Sequence, residues 1–132
     1  MWKTKLFEQI EQEYSYIELN SVNKAYEFII KKFKEELVTP INKIYPDYAD
    51  INIVGENETE LYIGNKLLII RPNKEFKVIE FTFDTNRIKV SFKSDKYGIV
   101  QNTSEIKELD NDMKYFNKHY VEKVFEYVFS VA

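Results

Sequence analysis

The sequence predicts an α+β domain: an N-terminal helix or helical hairpin, a five- to six-stranded antiparallel meander sheet, and a long C-terminal helix. Three observations carry that prediction. Apolar residues recur at three- and four-residue spacing before residue 38 and again after residue 104. Between residues 51 and 100 they alternate with period two. The helical and strand patterns are segregated along the chain, which favours an antiparallel sheet over a parallel one. With 132 residues, 44% of them hydrophobic, the chain has material for one core. It is expected to be a single domain, 1–132, helical over 1–38, sheet over 51–100 and helical over 104–131.

Taken in order, Phe7, Ile10, Tyr14 and Ile17 form one helical stripe, and Val22, Tyr26, Ile29, Phe33 and Leu37 form a second. The phase shifts near Asn20-Ser21, where Asn20 can end one helix and Ser21 can cap the next. Thr39-Pro40 is expected to stop the helical run, because the residue before proline avoids the helical region. The connection that follows is expected to dock Ile41, Ile44 and Tyr45 on the core.

Ile51 to Val54 reads as a short strand and Gly55 to Glu58 as a polar turn. Gly64-Asn65 is a two-residue hairpin signal between the strands Leu61–Ile63 and Lys66–Arg71. Leu67-Leu68-Ile69-Ile70 is apolar on both faces and belongs in the middle of the sheet. The clearest pattern runs from Phe76 to Phe92. Ile79, Phe81 and Phe83 alternate with polar residues, as do Ile88, Val90 and Phe92. A turn at Thr85-Asn86 sets Phe83 opposite Ile88, Phe81 opposite Val90 and Ile79 opposite Phe92. Tyr97 to Val100 reads as a last strand. Thr103 or Ser104 then caps the C-terminal helix, whose stripe runs from Ile106 through Val124 to Val131, with a break allowed near Asp110-Asn111-Asp112.

The net charge of −3 is unevenly spread: seven basic residues between Arg71 and Lys96 face four acidic ones. The outward face of the central hairpin, Arg87, Lys89 and Lys93, is therefore the one patch with a direction. It fits an acidic partner or a nucleic-acid backbone, or simply a charged strand face that resists edge pairing. For a globally acidic chain, nucleic acid is the less expected partner.

Other chemistry finds little support. The chain has no cysteine, which excludes disulfides, thiolate metal sites and a cysteine nucleophile. His119 is the only histidine and lies off the apolar stripe of its helix, as a surface histidine does. Glu56, Glu58 and Glu60 read as a solvated turn rather than a cation site. Three glycines cannot build a phosphate-cradling loop, and no nucleophile elbow or metalloprotease pattern occurs. No catalytic residue, metal or cofactor is expected.

The N-terminal stretch has no apolar signal core, and no segment approaches the length of a membrane span, so a cytoplasmic location is expected. The Lys-, Ile-, Asn- and Tyr-rich usage is that of an AT-rich coding sequence, as in a low-GC bacterium or its phage. Phe125 and Phe129 lie beside the main stripe of the C-terminal helix, and such a row is expected to meet a second copy or a protein partner. The leading expectation is a small non-catalytic binding protein acting through protein–protein contact, of accessory, phage-related, antitoxin or immunity type. The alternative is a nucleic-acid-binding module using the basic strand face.

Overall fold

The computed structural model describes residues 1–92, 98–102 and 115–130, with backbone alone at 12–18, 98, 101, 102 and 115. The chain is α+β. It comprises α1 (Trp2–Glu18), α2 (Val22–Phe33), a π-helical segment (Lys34–Val38) and α3 (Thr39–Ile44). Six strands follow: β1 (Ala49–Gly55), β2 (Glu58–Ile63), β3 (Lys66–Asn73), β4 (Val78–Phe83), β5 (Asn86–Ser91) and β6 (Gly98–Asn102). A two-residue β7 (Tyr115–Phe116) and α4 (Lys118–Phe129) close the described chain. The strands pair antiparallel in sequence order, so the sheet is a six-stranded meander to which β7 adds an edge.

The first two helices separate where the phase of the stripe shifts. Ser21 is extended and its hydroxyl accepts from the Lys24 N–H, so it caps α2. Thr39-Pro40 does not stop the helix. Thr39 is itself helical, with φ −61° and ψ −51°, and its N–H donates to the Lys34 carbonyl five residues back. The π segment loosens the ladder just ahead of the proline. Pro40 then falls in the first turn of α3, where a missing N–H is no loss. The expected docking of Ile44 and Tyr45 is also absent, because both are largely exposed. Asn42 makes the contact instead: its side-chain amide donates to the Ala49 carbonyl and accepts from the Ala49 N–H, each at 2.9 Å.

The central hairpin keeps its expected faces but not its register. Phe83 is opposite Asn86, Phe81 opposite Ile88 and Ile79 opposite Val90, so the turn is Asp84-Thr85. The left-handed residue is Asp84, at φ 52°, rather than Asn86. Moving the turn by one residue changes each partner by two positions. Because strand faces repeat every two residues, every apolar side chain stays inside. Ile79, Phe81, Ile88 and Val90 are all fully buried.

Helices α2 and α4 cover the inner face of the sheet. Phe33 of α2 meets Phe125 and Phe129 of α4, with ring centroids 5.6 and 5.4 Å apart. Phe116 links Phe81, Phe92 and Tyr120 at 5.9–6.1 Å. Lys32 of α2 bridges to Glu36 on the π-helical segment and to Glu122 on α4, both at 2.7 Å. Lys66 donates to the Ser130 carbonyl at 2.8 Å and so caps the C-terminal end of α4.

The C-terminal helix is shorter than expected. Asn117 starts it, accepting from the Tyr120 N–H, and the strand at 115–116 precludes one continuous helix from 104. Such an expectation of a Thr103 or Ser104 cap, and of a break near 110–112, lies outside the described residues.

Candidate functional site

The outer face of the sheet carries the basic residues foreseen for a binding site. Arg87 and Lys89 are exposed on β5, while Lys93 lies outside the described residues. Their cross-strand neighbours on β4 are Thr82 and Glu80, and Glu80 is also opposite Arg71 on β3. Arg71 in turn donates to Glu58 at 2.7 Å and to the Thr82 hydroxyl at 3.2 Å. This row alternates in sign, because antiparallel pairing sets a glutamate between two cations. Arg71, Glu80 and Lys89 line a shallow cleft of about 350 Å³ together with Phe76, which is 71% exposed.

The glutamates of the β1–β2 turn do not converge. Glu58 is held by Arg71, and Glu60 accepts from the Asn52 amide at 2.7 Å. The Glu60 carboxylate also binds the Tyr62 hydroxyl, which holds that phenol above its ordinary range. Among the described residues no three His, Asp or Glu side chains are grouped as metal ligands. His119 is exposed.

Phe125 and Phe129 are not on a surface. They are 4% and 8% exposed, packed against Phe33 inside their own domain, Phe125 edge-on and Phe129 tilted. The apolar line beside the main stripe of α4 therefore meets neither a second copy nor a partner. It is consumed because α4 packs against α2 as well as against the strands.

The apolar surface lies on α1 instead. Residues 1–11 are all exposed, among them Trp2 at 69%, Phe7 at 60%, Ile10 at 53% and Leu6 at 42%. Phe7 and Ile10 belong to a stripe that periodicity marks as buried, yet among the described residues nothing covers them. Periodicity shows that a helix has an apolar face, not which body that face meets.

A second apolar feature lies nearby in the chain. Tyr26 and Ile30 of α2, Thr39, and Ile53 of β1 line a groove of about 460 Å³. Ile53 is 69% exposed, and the groove rim carries Glu27, Lys31, Lys34 and Glu35. The hydroxyl of Tyr26 is hydrogen-bonded to that of Thr59 on β2, which ties the tyrosine to the sheet.

No protein-family model, curated protein or solved structure matches the chain. What can be stated as a class is the fold alone: N-terminal helices, an antiparallel meander and a C-terminal helix.

Proposed function

We propose that this is a non-catalytic binding protein that acts through protein–protein contact, with α1 as the contacting element. The observation that carries this reading is the exposed row Trp2, Leu6, Phe7 and Ile10 on the N-terminal part of α1. Most of a helix's stability in a protein comes from packing its apolar face, so an exposed apolar row on α1 is stabilised by whatever covers it. Aromatic and branched side chains in a row are the anchors of helix-in-groove recognition. The test is capture from a lysate of the native host with the wild-type chain and with Leu6→Glu/Phe7→Glu. A partner retained by the wild type and lost by the variant supports the reading. Identical recoveries from both overturn it.

A second reading keeps the outer face. Lys89 and the exposed Phe76 line one cleft, a pairing of cation and ring that suits single-stranded nucleic acid. Glu80 opposite both Arg71 and Lys89 weakens it. Salt-dependent retention on heparin, lost in Arg87→Glu/Lys89→Glu, separates this reading from the first.

A further inference from the structure

We infer that the open edge of the sheet is closed against a further strand by two side chains, Asn42 of α3 and Asp50 of β1. Strand β1 ends the sheet, with β2 on one side only. The outward backbone groups of such a strand are a template for pairing with another chain.

Which groups point outward follows from the hydrogen bonds. The Gly64 N–H donates to the Tyr48 carbonyl at 2.8 Å, so that carbonyl is turned toward the β2 side. Facing pairs in an antiparallel ladder are bonded and non-bonded by turns. The next pairs are Ala49 with Ile63, Asp50 with Tyr62, Ile51 with Leu61, Asn52 with Glu60 and Ile53 with Thr59. The residues whose N–H and C=O turn away from β2 are therefore Ala49, Ile51 and Ile53.

The chain fills the first of these positions itself. Asn42 Nδ2 donates to the Ala49 carbonyl and Asn42 Oδ1 accepts from the Ala49 N–H, each at 2.9 Å. A primary amide bonded to both groups of one residue does what the backbone of an adjoining strand would do. The next outward donor, the Ile51 N–H, is taken by Asp50 Oδ1 at 2.8 Å. Past Ile53 the register shifts before Gly55, and a bulge bends an edge out of line. The Ile51 carbonyl and both backbone groups of Ile53 are left, a window well short of the usual strand of about 5–6 residues.

The composition of the strand explains why a closure is needed. Residues 49–55 include no lysine, and their one charged side chain, Asp50, is turned onto its own backbone. Ile53 and Val54, on opposite faces, are 69% and 55% exposed. Branched apolar residues with little charge on an edge favour strand addition between copies.

The test reads light scattering across a concentration series for the wild type, Asn42→Ala and Asp50→Ala, and for each variant combined with Ile53→Pro. Amide hydrogen exchange at Ile53 is followed wherever that N–H is present, and circular dichroism establishes which variants fold. Proline at 53 removes an outward N–H and leaves the bonds to β2 in place, so it blocks the edge without opening the sheet. Asn42→Ala is expected to associate, its mass rising about twofold or more above the wild type's while Ile53 exchange slows. Adding Ile53→Pro is expected to return the mass to the wild-type value, a rescue that simple loss of the α3 contact would not allow. If Asn42→Ala does not fold, Asp50→Ala is read in its place, since it frees the Ile51 N–H and keeps the α3 contact. A folded variant with the wild-type mass throughout overturns the closure, as does association that survives Ile53→Pro. Concentration-dependent protection of Ile53 in the wild type overturns it too, because the edge would then already accept a strand.

Discussion

Gly64 has φ +60°, and a Cβ built there would meet the Tyr48 hydroxyl at 2.6 Å. Two constraints coincide at this residue, a left-handed backbone that favours glycine and a phenol packed over the turn. The Gly64 N–H also donates to the Tyr48 carbonyl at 2.8 Å, so the ring and the turn are held together. Gly64→Ala is expected to cost about 1–3 kcal/mol in a denaturant titration. Gly55→Ala, with nothing within 4 Å of the added methyl, is expected to stay within about 0.5 kcal/mol. Equal effects at the two glycines would show that the Tyr48 contact is not formed. The hairpin signal at Gly64-Asn65 was legible because it is a property of two adjacent residues. The tyrosine above it was not, since it arrives from sixteen positions upstream.

Among the elements, α4 shows best how packing reassigns a pattern. Its apolar arc is wide because it touches two neighbours: Val121 and Val124 are fully buried in the core, while Phe125 and Phe129 close on Phe33 of α2. Phe125→Ala should therefore destabilise the fold by about 3–5 kcal/mol, against under about 0.5 kcal/mol for the exposed Glu126→Ala. Phe125→Glu combined with Phe129→Glu should unfold the protein rather than release a folded monomer, because it buries unpaired charge. Circular dichroism and thermal melting decide it: a native-like melt for the double glutamate variant would return these rings to the surface. Helix α1 is the opposite case, since Trp2, Leu6, Phe7 and Ile10 are left exposed by the described residues.

At the scale of the molecule, the helical layer is tied across its width by Lys32, which reaches Glu122 on α4 and Glu36 beyond α2. Partial burial of the ammonium works to lower its pKa, but the hydrogen bonds and charges of the two glutamates outweigh it and hold the value above 10.5. A folded-state value above the unfolded one means stabilisation that is complete below the unfolded pKa and is lost as pH rises through the folded pKa. The stability advantage of the wild type over Lys32→Met should thus be constant at neutral pH and shrink above about pH 10.5. Urea midpoints of both proteins at pH 8 and pH 11 measure it, and an advantage unchanged between them would show that the bridge contributes nothing. Taken alone, the sequence determined the fold class, the order of the meander and the inward face of each central strand, while it left one N-terminal helix or two open and marked Ser21 as a possible cap. All of these follow from local spacing and local turn chemistry. The pairing register of β4 with β5 escaped it by two positions, because either register buries the same side chains and only the backbone at Asp84 chooses between them. What an apolar helical face meets was decided by tertiary structure alone: Phe125 and Phe129 found Phe33, and Trp2, Leu6, Phe7 and Ile10 found no cover among the described residues. Spacing determines that a face is apolar, and the three-dimensional arrangement of the other elements determines whether that face is core or surface.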